Sequence, residues 1–262
     1  ILAAANQPKM AQLVAQEIYD VRDSRIVEKA VEKQIEKDAD IVVIDFKRAY
    51  PQYTTIVRYS SFEDVKDYCL VVLARHNSNS IWAKLIRRIL YTNYDINCKE
   101  GYNQGEDFQV VPRLLYNAKV IVKLREPLYF YDCSNIGSYT NNFSKNKHDQ
   151  NWESMNVVRN YFIDKGNEYV DAVNKGIVRQ LVDDLIVSAK TSGQTVGCYY
   201  EYAVKELSYI NRKYWKAVPL TKSVILLFAN HFYLMKAYTL FSRLLRQTTL
   251  KLKFQIQQHF SK

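Results

Sequence analysis

Apolar positions along this chain change period near its middle. From residue 26 to 38, Ile26, Val27, Ala30, Val31 and Ile35 recur at helical spacing, with Glu28, Lys29, Glu32 and Lys33 on the polar side. The next segment, Asp40-Ile41-Val42-Val43-Ile44-Asp45-Phe46, is a short apolar run bounded by charge, which predicts a buried strand. Residues 52–59 are rich in β-branched and aromatic side chains and predict a second strand. Ser61-Phe62-Glu63-Asp64 reads as the cap of a helix over 62–75, and residues 106–117 predict another helix. Strands are expected at 118–124 and, more briefly, at 128–131. Tyr129 and Tyr131 lie on that second piece, where one of the two is expected to be buried.

Residues 134–150 are polar and rich in Asn and Ser, as a loop between domains would be. Beyond residue 151 helical periodicity takes over: 151–165, 168–190, 195–209 and 219–258, with breaks at Gly166, Gly193 and Pro219. The expected organisation is a mixed α/β domain over 1–145 and a helical region over 146–262. No internal repeat is visible.

Composition adds three constraints. A chain of 262 residues with 48% hydrophobic content can bury a real core, and only 7 Gly and 5 Pro suit a helix-rich fold. The net charge of +10 sits at one end: residues 203–262 hold 11 Lys/Arg and one acidic residue, Glu206, while the remainder is balanced. The four cysteines, Cys69, Cys98, Cys133 and Cys198, form no C-x-x-C pair, and His76, His148, His231 and His259 are scattered. Free thiols in a reducing compartment fit this better than a disulfide framework or structural zinc. No signal peptide is visible, and the start, without an initiator Met, reads as that of a fragment. The apolar run Val224–Met235 is too short to span a bilayer.

The candidate chemistry lies between Ser80 and Ser138. Gly105-Glu106-Asp107 puts two carboxylates after a glycine and at a helix start, where the helix dipole favours their ionised form. An ionised carboxylate can take the proton of a hydroxyl as that oxygen attacks. First-turn acidic residues are also ordinary capping chemistry, so the triplet alone leaves both readings open.

The flanking segments extend the pattern. Ser80-Ile81-Trp82-Ala83-Lys84-Leu85 precedes the triplet, and Pro127-Leu128-Tyr129-Phe130-Tyr131 follows it. This order, W-x-K-L, then G-E-D opening a helix, then P-L-Y-x-Y and a Ser, resembles the second half of the bacterial family 2 glycosyltransferases. The likeness covers residues 17–145. It implies a GT-A fold, an α/β architecture with a Rossmann-like mixed sheet, incomplete in this chain and followed by the helical, basic C-terminal region. It implies inverting transfer of a sugar from a nucleotide-sugar to a saccharide or lipid-linked acceptor, as in cell-envelope polysaccharide biosynthesis. Asp107 would be the general base, Glu106 and Trp82 would bind acceptor, and Lys84 would bind a polar or phosphate group. A divalent metal, Mn or Mg, is expected from the resemblance, with Asp23 as a contact.

Departures accompany the match. The P-x-Y-N turn and the D-D-G-S-x-D segment are missing, Arg25 stands where a second Asp belongs after Asp23, and Asp132 replaces the family's usual Arg. A degenerate, non-catalytic relative is therefore the alternative.

The tail has its own reading. Leu226, Leu227, Phe232, Leu234, Tyr238, Phe241, Leu244 and Leu245 make an apolar face beside Lys236, Arg243, Arg246, Lys251 and Lys253. A basic amphipathic helix suits an anionic membrane surface, at about 1 kcal/mol per cation. Packing on its own domain is the plainer use of such a face. Nucleic acid is disfavoured, because the charges are spread thinly along apolar helix. The expected location is cytoplasmic, peripheral at the inner face of the plasma membrane.

Overall fold

The computed structural model describes residues 25–59, 62–134, 143–191 and 194–245. The chain divides into one unit of residues 1–142 and 149–173, and a second of 143–148 and 174–262.

The first unit is built around β1 (Ile41–Ala49), whose first six residues are all buried. It is flanked in sequence by α1 (Arg25–Glu36) and β2 (Thr54–Val57). Then come α2 (Val65–Leu73), β3 (Lys84–Ile86), α3 (Arg88–Asn93), α4 (Glu106–Asn117), β4 (Ile121–Asp132) and α5 (Lys145–Phe162). β4 pairs parallel to β1 along its length, while β2 and β3 pair antiparallel with its two ends. A strand has two edges, so β2 and β3 share the edge that β4 does not use.

Burial on both sides explains the apolar run Ile41–Ile44 that opens β1. Val42 and Ile44 meet Ala30 of α1 on one face, in a cluster that Leu85, Val122 and Leu124 extend. The other face carries Val43 with its register partners Lys84 and Lys123. The Lys84 amine lies over the ring of Tyr68, in α2, and Lys123 donates to Phe62 O, so α2 covers this side.

The two strands expected at 118–124 and 128–131 are one element. Register slips where Ile44 faces Leu124 but Phe46 faces Tyr129, so β4 takes five steps while β1 takes two. The slack contains Pro127, which has no N–H for the ladder and belongs at a bulge. Tyr129 and Tyr131 are both half-buried, where one of the two is expected to be buried. Two residues apart on one strand, they share a face.

α2 begins later than expected, because Asp64 is its N-cap and accepts the Asp67 N–H at 2.8 Å. α4 spans Glu106–Asn117, as its pattern predicts. The loop expected over 134–150 does not reach residue 150, since α5 starts at Lys145; residues 135–142 of it lie outside the described residues. In this unit α5 buries Phe162 among the rings of Tyr116, Tyr161 and Tyr169.

The second unit is helical. It contains most of α6 (Asn167–Lys190), then α7 (Gln194–Tyr209), a 3₁₀ turn (Arg212–Ala217) and α8 (Leu220–Leu227). Residues 232–245 form a further helix. The single helix expected over 219–258 is therefore interrupted: a turn at 228–231, closed by His231 N–H to Phe228 O at 2.8 Å, ends α8. A buried polar group joins these helices. His148 Nε2 lies 3.5 Å from Asp184 Oδ2, Gln180 donates to Asp184 Oδ1 at 2.8 Å, and the Tyr199 and Tyr202 rings pack on the imidazole.

Among the described residues, no helix is long and apolar enough to cross a membrane. All four cysteines are free thiols.

Candidate active site

Asp107 and Glu106 occupy the first turn of α4, and the turn is fastened from below. Gly105 caps the helix in the left-handed region, at φ +82°. A Cβ added there would sit 2.7 Å from Ser154 Oγ and 2.8 Å from Ser154 Cβ. Glycine thus meets two demands at once, a positive φ and close passage against α5.

The neighbouring side chains lock this arrangement. Gln109, one turn into α4, donates to Ser154 Oγ at 2.8 Å and accepts the Lys99 backbone N–H at 3.1 Å. Ser154 Oγ also lies 2.8 Å from Gln150 O and 3.4 Å from Gln104 O. Both residues are fully buried, so leaving either polar group unpaired would cost about 1–3 kcal/mol. The loop before α4 is tied to α5 a second time: Glu153 accepts from Lys99 Nζ at 2.6 Å and from the Tyr102 hydroxyl. Arg113 reaches back from α4 to Asn97 O at 2.7 Å.

Electrostatics converge on the same turn. Asp107 is half-buried, and its charge reaches Lys84, Tyr59, Tyr91 and Cys98. Burial pushes the Tyr59 phenol up to about 12 and raises Tyr91 further, with Asp107 adding to both. Burial also raises Glu106, against a hydrogen bond from its own backbone N–H.

Lys84 is a strongly perturbed cation. It stands on β3, 9% exposed, and its amine donates to Ser80 O at 2.6 Å and to Ser78 O at 3.3 Å. The Tyr59 and Tyr68 rings lie 5.1 and 5.9 Å from it. Desolvation lowers the amine to about 7, opposed by the charge of Asp107. Ser78 Oγ donates to Ser80 Oγ at 2.8 Å, and the Tyr59 hydroxyl lies 3.4 Å from Ser80 Oγ. Asp45, buried on β1, accepts the Tyr59 N–H at 3.1 Å.

Trp82 is half-buried and packs on the sheet. Its ring stacks on Tyr129 at 4.4 Å and on Tyr131 at 5.3 Å, with the Phe46 ring edge-on at 4.7 Å. Parallel stacking of this kind is worth about 0.5–1.5 kcal/mol per pair beyond burial. The P-L-Y-x-Y segment therefore carries the surface on which Trp82 rests.

Gln109, Ser154, Tyr59 and Asp45 were not singled out by sequence reasoning. Asp45 and Gln109 did carry a signal, each a polar residue inside an apolar run. Ser154 carried none.

Asp23 lies outside the described residues. Among those described, no group of three or more His, Cys, Asp or Glu is placed to hold a metal ion.

No protein-family model matches the sequence, and no curated protein matches it. Solved structures do. The chain is similar to S. aureus TarS 1–349 in complex with UDP-GlcNAc, with a TM-score of 0.59 and 13% identity over 86% of this chain and 65% of that one. A second structure of TarS 1–349 gives 0.56 and 14%, over 86% and 64%. A structure titled simply S. aureus TarS gives 0.53 and 14%, over 81% and 36%. This chain thus spans less than two-thirds of the length of each. At such identity the likeness shows the fold alone: an α/β, incomplete GT-A-like arrangement, shared with TarS.

Substituting Gly105 tests the fastening directly. Gly105→Ala is expected to destabilise the first unit by about 2 kcal/mol or more, from the left-handed φ and the contact with Ser154. A urea unfolding midpoint unchanged from that of the parent chain would contradict it.

Proposed function

We propose that this chain carries the acceptor side and general base of a family 2, inverting glycosyltransferase. The supporting observation is the placement of Asp107: a carboxylate on a helix turn pinned by Gly105, Gln109 and Ser154, within a fold similar to that of TarS. In this reading the acceptor hydroxyl gives its proton to the Asp107 carboxylate while its oxygen attacks the anomeric carbon. The bond from that carbon to the diphosphate breaks, and the nucleoside diphosphate leaves with the electron pair. Attack from the opposite side inverts the anomeric centre.

Glu106 and Trp82 stand on the acceptor side, Trp82 offering the aromatic area left over from its stacking on Tyr129 and Tyr131. Lys84 stands on β3, its amine turned to backbone carbonyls. TarS was crystallised with UDP-GlcNAc, which makes a uridine diphosphate sugar the first donor to try. The acceptor is a saccharide or lipid-linked alcohol. A divalent metal contacted by Asp23 remains part of the proposal through the family resemblance alone.

A second reading concerns the helix over 232–245 and is favoured by its surface. Met235 and Thr239 are buried, while Tyr233, Leu234, Leu240, Phe241 and Leu244 are exposed on the opposite side. With Lys236 and Arg243 beside them, these residues suit an anionic membrane, at which an enzyme would meet lipid-linked acceptors. The same surface would serve a non-catalytic protein as its whole function.

Three measurements follow. With UDP-GlcNAc and an acceptor panel, Asp107→Asn is expected to lose at least about 100-fold in transfer rate with unchanged circular dichroism; undiminished turnover would remove the base. EDTA is expected to stop transfer and Mn²⁺ to restore it, whereas full activity in EDTA would dismiss the metal. Vesicles containing phosphatidylglycerol, but not pure phosphatidylcholine, are expected to co-sediment the chain, and Leu234→Ser/Phe241→Ser to release it. Equal recovery of parent and variant with both vesicles would contradict the membrane reading.

A further inference from the structure

We infer that the sheet face around Trp82 continues as a track for a saccharide chain, with a second aromatic subsite at Tyr50 and Tyr53 on the hairpin between β1 and β2. The inference rests on the reading of Trp82 as part of the acceptor side, and extends that side from one sugar to several.

Register places these residues on one face. Phe46 and Arg48 alternate to the same side of β1. Phe46 pairs with Val57 of β2 and Tyr129 of β4, and Arg48 pairs with Thr55 and Tyr131. Trp82 stacks on both of these tyrosines and meets Phe46 edge-on, so it stands on this face. The alternation runs one step further into the hairpin. Tyr50 follows Arg48 by two residues, Tyr53 precedes Thr55 by two, and the Tyr50 N–H donates to Tyr53 O at 2.9 Å to close the turn. The two rings stack at 4.7 Å with 22° between their planes. β4 arrives at the same place: the Cys133 N–H donates to Ala49 O at 2.8 Å. Burial raises the Tyr50 phenol, and the Cys133 thiol beside it adds to this.

This surface has the chemistry of a sugar site. Stacking uses one side of each ring, yet Tyr53 remains 56% exposed. Flat apolar rings match the C–H faces of a sugar, while its hydroxyls need a few placed polar groups. Arg48 and Thr55 supply them, both exposed between Tyr131 and the hairpin. The Arg48 guanidinium presents a fixed fork of donors. It lies 5.7 Å over the Phe46 ring, whose edge meets Trp82.

Spacing sets the size of the ligand. Phe46, beneath Trp82, and Tyr50 are four residues apart, roughly 13 Å along extended backbone. A single sugar ring does not cover that distance, and a chain does. Once the first sugar is on Trp82, the next ones are held close to Tyr53, so the two platforms strengthen each other.

The test uses the full chain labelled with ¹³C-tyrosine and ladders of chito-, cello- and galacturono-oligosaccharides, monomer to hexamer. One ladder is expected to bind more tightly as it lengthens, with Tyr53 ring resonances shifted by the hexamer and not by the monomer. Tyr53→Ala is expected to weaken hexamer binding about fivefold, the scale of one aromatic stacking contact, and to leave monomer binding unchanged. Tyr53→Phe, which keeps the ring, is expected to bind as the parent does. A loss of structure would weaken both lengths alike.

No gain with length in any ladder overturns the inference, as does a hexamer that leaves Tyr53 unmoved or an equal effect of Tyr53→Ala on monomer and hexamer. Tyr53 resonances shifted by UDP and not by saccharide also overturn it. Loss of transfer in Asp107→Asn with length-independent affinity keeps the transferase reading and discards the track. Full transfer in Asp107→Asn with a length gain that Tyr53→Ala removes keeps the track and discards the base.

Discussion

The approach of Gly105 to Ser154 is the constraint on which the candidate site depends. A helix start is normally free to shift by an ångström or more, and a carboxylate on its first turn would shift with it. Here the backbone of one helix start lies against the side chain of another helix, closer than any residue with a Cβ would permit. Gln109 then spends both ends of its amide on that junction, one on Ser154 and the other on the Lys99 N–H. The turn bearing Glu106 and Asp107 is thereby fixed to α5 and to the preceding loop together. Precision of this sort is what proton abstraction needs, since small misplacements cost large factors in rate.

A second feature lies on the sheet. β1 is buried from Ile41 to Phe46, and the two register partners of Val43 are both lysines. Apolar packing alone does not explain lysines there. Lys123 reaches out to Phe62 O with its amine 3.7 Å from the Phe62 ring centroid, whereas Lys84 stays inside, bonded to backbone oxygens and facing the field of Asp107. One lysine makes use of its long stem; the other keeps its amine within the core, on the carbonyls of Ser80 and Ser78.

Much of the fold was legible because local chemistry and burial agreed. α4 has the bounds its pattern predicts, since a left-handed Gly105 and two acidic residues mark its start without ambiguity. The mixed α/β order and the helical end were likewise readable from a change of period. What was not readable arose from contacts distant in sequence. Two strands were expected, at 118–124 and 128–131, and parallel pairing with β1 carried β4 through Pro127 between them as a bulge. The apolar spacing after Pro219 argued for one helix, and the turn at 228–231 broke it. In the candidate site, Gln109 and Ser154 lie 45 residues apart, and no local pattern joins them. The tyrosines beneath Trp82 were visible as a motif, but their role as its support was not, because stacking depends on where β3 and β4 meet β1.

The central claim is that Asp107 faces an incoming alcohol beside a bound donor. A crystal structure of the chain with UDP and an acceptor saccharide tests it most directly. The account predicts a carboxylate oxygen of Asp107 within hydrogen-bond reach of the attacking hydroxyl, about 2.6–3.2 Å. An acceptor seated with that hydroxyl turned away from Asp107, towards some other base, would contradict it.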